Sequence, residues 1–501
     1  MTDQELHYNV VVVGAGNAAL SAVHSAAELD VTIGVLEKAP RVERGGNSML
    51  TGHLRFAYNN VDELVAIMRP EDDNPENRRR LQEGLPQRTK EELYDEIMLV
   101  TEGLADQELL KVHIDETYNT IKWLHSKGHD WIPAYENATT GNIVRCEGAG
   151  FGLQTRNFDS LEANPKVTFH YDTAAVELVV DPSGRISGVI ARTPEGMVRI
   201  NADAVVLAAG GFEANAEMRA RYLGPRWDYV HNRGVPYNTG DGLRMALAIG
   251  AQPYGGWGSC HASPNDWALP DYVLPSSRTT AGEGIYTRYV YPYSIMINTE
   301  GKRFVDEADN IRALTYAKMG RAVLGQPGGK AFLVIDAKVR RLGLVPGNHD
   351  NATQETADTL EELATKLGIN PTTFVETVKQ YNAAIPADNK PDPNPFHMDG
   401  AHTVGIDPPK SNFAMTIDEG PFEAFVVRCG ITFTFGGIRI VPDTAQVQDV
   451  SGVPMPGLYA AGEMVGGLWF WNYPSGSGMM AGATFGRLAG RSAAEFASSL
   501  K

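Results

Sequence analysis

Tyr8-Asn9-Val10-Val11-Val12-Val13-Gly14-Ala15-Gly16-Asn17-Ala18-Ala19 is the stretch on which the fold turns. The β-branched run over 8–13 reads as a buried parallel strand, the glycines as a tight turn, and the following residues as a helix to about residue 29. A second strand over 31–36 ends on Glu37. Together these form a βαβ unit in which Gly14 permits the turn and Gly16 lets backbone N–H groups approach a pyrophosphate. Asn17 and Ala18 open a helix whose N-terminus attracts the phosphate charge, and Ala19 allows close packing. Glu37 is placed to accept from ribose hydroxyls and disfavours a 2′-phosphate. FAD and NAD fit this unit equally well.

Beyond it, paired glycines recur wherever a planar ligand would need the backbone close. Lys38 follows the acid, then Gly45-Gly46-Asn47-Ser48, where the chain can pass a second phosphate and a flavin edge. Ala204-Val205-Val206-Leu207-Ala208-Ala209-Gly210-Gly211 is a strand ending in small residues, and Thr239-Gly240-Asp241-Gly242 opens a helix. Gly457-Leu458-Tyr459-Ala460-Ala461-Gly462-Glu463 is a further strand, followed by Gly476-Ser477-Gly478-Met479 leading into a last helix. A helix N-terminus there suits the negative charge that builds on a reduced flavin.

The chain has 501 residues, too many for one ordinary core, so two or three domains are expected. Its 52 glycines exceed a background of roughly 7%, in keeping with many ligand-hugging turns. A net charge of −17 argues against nucleic acid as partner. Three scattered cysteines, Cys146, Cys260 and Cys429, offer no iron–sulfur, haem or zinc spacing, and no metal site is expected. The polar N-terminus carries no signal pattern and no run spans a bilayer, so the expectation is a cytoplasmic protein without direct membrane insertion.

In order and spacing these segments resemble the fumarate reductase/succinate dehydrogenase flavoproteins over nearly the whole chain. Within that superfamily Gly45-Gly46-Asn47-Ser48, Gly301-Lys302-Arg303-Phe304-Val305-Asp306-Glu307 and Trp471-Asn472-Tyr473-Pro474 are most similar to tricarballylate dehydrogenases. The resemblance implies an α/β fold: a Rossmann-like FAD-binding domain of glutathione-reductase type with an inserted α+β capping domain. The expected division is 1–250 and 408–501 for FAD, and 251–407 for the cap. A helical elaboration is expected over 60–131, with a loop at 69–89, and a β-meander over 167–200. FAD is expected to be noncovalent, because Asn47 stands where succinate dehydrogenases attach it through histidine.

The implied chemistry is hydride exchange between flavin N5 and a CH–CH bond next to a carboxylate, in a dehydrogenase or a related ene-reductase. In fumarate reductases an arginine shortly after the segment matching 301–307 delivers the proton, which points to Arg312. The other reading is a surface arginine paired with Asp306 or Asp309. Thr432-Phe433 replaces a histidine pair of that family and Tyr473 replaces a substrate arginine, so two dicarboxylate clamps are missing. Tyr473 is either a base or carbonyl donor, as in ketosteroid dehydrogenases acting on cyclic ketones, or packing over the flavin. Arg288 and Arg278 are the remaining carboxylate binders, and His53 and His261 carry no assignment. Besides a small-molecule substrate, an external electron acceptor or an iron–sulfur or membrane partner fits a third reading, a flavin subunit that relays electrons.

Overall fold

The computed structural model describes residues 6–83, 88–133, 144–277 and 286–500. Leu6–Val13 pairs in parallel with Ile33–Leu36 on one side and Gly196–Leu207 on the other. Val167–His170 and Pro454–Ala460 extend the parallel order outward, and Gln446–Gln448 closes one edge antiparallel. Val10, Val11 and Val12 are wholly buried, as strands covered on both faces must be.

One covering layer is built by the helices Asn17–Ala26 and Ser477–Ser499, which pack along each other. The contact requires glycine: a Cβ on Gly486 would stand 2.3 Å from the Ala18 carbonyl oxygen, and one on Gly490 2.0 Å from that of Ala22. Backbones therefore touch without side chains between them, and the last helix is pressed against the phosphate-binding turn.

A second, six-stranded mixed sheet runs Pro253–Asp266, Phe422–Ile438, Lys330–Ile335, Ile295–Asn298, with Gln354–Ala357 and His231–Asn232 also paired to Phe422–Ile438. Helices Leu360–Leu367 and Pro371–Ala383 cover it through a core that includes Phe332, Leu363 and Phe374. The architecture is the expected α/β one. Among the described residues no helix is long and apolar enough to cross a membrane.

Three local expectations need correction. Phe422–Ile438 lies beyond residue 407, yet it is central to the second sheet, because an almost unbroken apolar run does not reveal which sheet it joins. Val167–His170 belongs to the parallel sheet, and the antiparallel meander is Ala174–Val180, Ile186–Thr193 and Gly196–Leu207. The stretch 69–89 holds a helix, Pro75–Glu83. Its proline occupies the first turn, where a missing N–H costs nothing, and Asn74 accepts from the Asn77 amide. Arg79 ties Glu76 to Glu83 along the surface while Leu81 is buried.

Candidate active site

At the carboxyl ends of the parallel strands lies a cavity of about 870 Å³ that continues between the two sheets. Its floor is the sequence-predicted phosphate turn. Gly14 has φ +105°, and a Cβ there would stand 2.4 Å from the Ala208 carbonyl oxygen. Gly16 caps the helix Asn17–Ala26, whose first amide donates to Ser48 Oγ at 3.0 Å. The Asn17 side chain donates to the Met479 carbonyl at 2.8 Å, tying the first helix to the last.

Glu37 reaches the cavity from the end of the second strand and accepts from the Ala39 amide at 2.7 Å. Burial pushes its carboxyl above the usual range, opposed by the backbone N–H groups around it. Lys38 donates to Thr239 Oγ1 at 2.6 Å and to Asp241 Oδ2 at 2.7 Å, so acid, lysine and TGDG turn form one rim. Asn47 is held on three sides: its amide donates to Glu213 and to the Thr432 carbonyl, both at 2.8 Å, and its oxygen accepts from Val235 N at 2.8 Å.

Ala18, Gly46, Ser48, Ala209, Gly210 and Gly462 also line this half, as do Glu463, Gly478 and Met479. Gly45 and Ser477 do not line it. Gly45, at φ +99°, turns the chain over Met49, and Ser477 is buried at the start of the last helix. The mostly glycine and alanine floor, ending on a helix N-terminus, suits a long planar ligand with a pyrophosphate.

The other half is aromatic. Tyr473 is buried, its ring 5.0 Å from Phe433, 5.2 Å from His261 and 5.7 Å from Trp469. Tyr316 donates its hydroxyl hydrogen to the Tyr473 hydroxyl at 2.7 Å. Burial pushes the Tyr473 phenol up, so it is protonated at neutral pH. His261 is 1% exposed, and neither ring nitrogen meets a hydrogen-bond partner among the described residues. Burial and the charge of Arg233 hold it well below its ordinary pKa, hence neutral.

Arg312 lines the same half, its guanidinium 4.8 Å from the centre of the Tyr289 ring. Neither acid of the surface reading holds it: Asp306 accepts from Ser411, and Asp309 pairs with Lys318. Arg233 approaches the Tyr289 hydroxyl at 3.5 Å and donates from Nε to Thr432 Oγ1 at 3.0 Å. No carboxylate of the described residues pairs with Arg233.

Arg288 does not line the cavity. It is 2% exposed and bound to Asp266 at 2.9 Å, with further bonds to the carbonyls of Thr287 and Asn348. Its bonding is that of a structural clamp beneath the wall, which corrects its expected place beside the substrate. Arg303 and Glu307 are likewise buried against each other. Arg278 lies outside the described residues. Arg233, Tyr316 and the pairing of Thr432 with Arg233 are not evident from the sequence; an arginine beside Gly234, shortly before the TGDG turn, is the one local signal.

A family model described as FAD binding domain matches residues 9–479. Fumarate reductase (cytochrome) of Shewanella frigidimarina is 28% identical, over 97% of this chain and 77% of that protein. 4-Oxocyclohexanecarboxylate 2-dehydrogenase of Sinomonas cyclohexanicum is 27% identical, over 97% of this chain and 93% of its own length. In fold, the 3-ketosteroid-Δ4-(5α)-dehydrogenase of Rhodococcus jostii RHA1 superposes with a TM-score of 0.72 at 24% identity, over 99% of this chain and 98% of that one.

Proposed function

The chain belongs to the FAD binding domain family, within the fumarate reductase/succinate dehydrogenase flavoproteins, and on that premise we propose which bond it oxidises or reduces. It is an FAD-dependent oxidoreductase acting on CH–CH or C=C groups. Our reading is that the reacting bond lies next to a carboxylate, in an acid whose remaining skeleton is flat or cyclic. The observation that carries it is that Arg233 and Arg312 both meet Tyr289, in a pocket rich in aromatic rings.

A guanidinium offers bidentate hydrogen bonds to a carboxylate, and a second beside it adds positive charge at the same end. Arg233, without an acid of its own among the described residues and braced by Thr432, is the stronger anchor. Tyr289, Phe433 and Trp469 then take the carbon skeleton, and neutral His261 offers a donor or acceptor to a carbonyl or ring nitrogen. Tricarballylate would set its other carboxylates against these rings, so an acid with one carboxylate fits the described wall better.

The residues at the floor suit FAD as read from the sequence: Gly14 and Gly16 for the pyrophosphate, Glu37 for a ribose, Gly46 to Ser48 and Gly478 for the flavin. Asn47 has no nucleophilic atom and its amide is fully engaged, which supports noncovalent binding. When bound, the flavin supplies or accepts the hydride. Tyr473 moves the proton. Tyr316 donates to its oxygen, leaving the Tyr473 hydrogen for the substrate carbon or carbonyl.

The ketone reading keeps the same tyrosine and is favoured by the Tyr316–Tyr473 pair, which can polarise a ring carbonyl. Anaerobic addition of open-chain acids, cyclic keto-acids and neutral cyclic ketones to the FAD-loaded enzyme separates the two. Flavin bleaching or reoxidation by acids alone is expected; turnover of neutral ketones with silence towards every acid would overturn the carboxylate reading. Electrons then pass to a carrier outside this chain, and co-purification with a redox protein tests whether that carrier is a dedicated subunit.

A further inference from the structure

Behind the cofactor half of the cavity, Glu213 is completely buried. Its Oε1 accepts from the amides of Asn47 at 2.8 Å and Asn238 at 2.5 Å. Its Oε2 has no hydrogen-bond partner among the described residues under ordinary ionised geometry. A second acid, Glu463, which lines the cavity, stands next to Glu213 and interacts with it. Glu463 is fixed in turn, with Oε1 accepting from Thr434 N at 2.6 Å and Thr434 Oγ1 at 2.9 Å. Gly211 makes room for it, since a Cβ there would stand 2.0 Å from that oxygen.

No cation of the described residues pairs with either acid. The guanidinium facing Glu213, that of Arg219, donates to the carbonyls of Glu213, Trp227, Asp228 and Val230 rather than to a carboxylate. The nearby Cys260 thiol is pushed by burial up to about 12 and stays neutral. Two ionised carboxylates in contact, without a cation or a donor between them, repel strongly at a buried site. One proton removes both problems: the hydroxyl of one acid donates to the other, and the orphan oxygen gains a partner.

We propose that Glu213 and Glu463 hold a single proton between them, an acid–carboxylate pair in the cavity wall that stores a proton beside the cofactor site. Burial raises both carboxyls above the usual range, Glu213 the more, in keeping with one proton retained through neutral pH. The pair carries one negative charge instead of two. Further negative charge entering the cavity raises its affinity for a second proton, so anion binding and proton uptake are coupled. Asn47 links this store to the cofactor floor, because the same amide that donates to Glu213 belongs to the Gly45-Gly46-Asn47-Ser48 turn.

The test is infrared spectroscopy of the FAD-loaded enzyme at neutral pH, with glutamate selectively labelled with carbon-13 to identify its carboxyl stretch. The wild type is expected to show the band of one protonated, hydrogen-bonded glutamic acid that moves with the label and on exchange into heavy water. Glu213→Gln and Glu463→Gln should each lose it, because the new amide donates to the remaining carboxylate. Both keep the oxygen that accepts from Asn47 or Thr434, so thermal midpoint and flavin content report retention of the fold. Absence of any such band in the wild type, which needs no variant, overturns the proposal. So does its survival in a folded form of either variant.

Discussion

The hydroxyl of Tyr316 donates to the hydroxyl of Tyr473 across 2.7 Å, joining a helix of the second sheet's layer to the loop before the last helix. The bond orients Tyr473, since its oxygen is occupied by a donor and its own hydrogen is left to point elsewhere. Tyr473→Phe removes the hydroxyl, and with it both that hydrogen and the acceptor of the Tyr316 bond. The expected loss in kcat is about 100- to 10,000-fold, the range of a general acid–base group, with the flavin spectrum unchanged. Tyr316→Phe should act more gently. Without its hydrogen bond, which holds the Tyr473 phenol down against burial, the alkaline limb of the rate–pH profile moves to higher pH. An unmoved limb would separate Tyr473 from proton transfer.

Arg233 should govern grip rather than chemistry. Hydrogen bonds to a charged group contribute about 1.5–3 kcal/mol, so Arg233→Met raises KM for an acid by about 10- to 100-fold while kcat falls much less. Arg233→Lys keeps the charge but loses the fork and the Thr432 brace, and recovers only part of the affinity. Steady-state kinetics with one acid and one neutral analogue decide the matter, because the neutral analogue should be indifferent to both changes.

The folded chain should be acid-sensitive in a definite window. Burial lowers His24 and His129 to about 4, and His113 and His349 to about 3. In the unfolded chain these groups titrate near 6.5. Between about pH 6.5 and 4 the unfolded state therefore binds more protons, and stability rises with pH there by about 1.4 kcal/mol per unit per histidine. Above that window their contribution is constant; it is lost progressively as pH falls from 6.5 to about 4, and to about 3 for His113 and His349. His113 makes the cleanest probe. It is fully buried without a hydrogen-bond partner among the described residues, stacked on Phe485. Unfolding midpoints of His113→Leu should fall less steeply on acidification than those of the wild type.

Gly490 tests the seam between the first and last helices. Gly490→Ala places a methyl group into the Ala22 carbonyl and should cost about 1–3 kcal/mol. Because the displaced helix begins at the phosphate turn, the variant should also release FAD more readily. Thermal unfolding and flavin retention on gel filtration measure the two effects, and an unaltered flavin content would uncouple the seam from the cofactor site.

What could be read in the sequence was local. Gly14, Gly16 and Glu37 belong to one βαβ unit, where spacing along the chain fixes spacing in space. Gly210 and Gly462 follow the same logic at strand ends, and Gly478 at the start of the last helix. Arg233 escaped because its meaning depends on Thr432 and Tyr289, both remote in sequence, and on a strand whose sheet the apolar pattern left undecided. Glu213 escaped for a similar reason: behind a Gly-Gly-Phe turn it looks like an ordinary loop acid, and only the fold brings it against Glu463. Arg288 failed in the opposite sense. Its neighbours Tyr286, Thr287 and Tyr289 reach the cavity, while its own side chain turns away to Asp266.

The amide of Asn17 bonded to the carbonyl of Met479 also bears on how the protein is made. The phosphate turn leaves the ribosome well before the helix that seats against it. A nascent chain thus carries half a cradle until some 460 further residues have emerged. Cofactor capture accordingly waits for that helix, and apoprotein truncated before it is expected to be colourless.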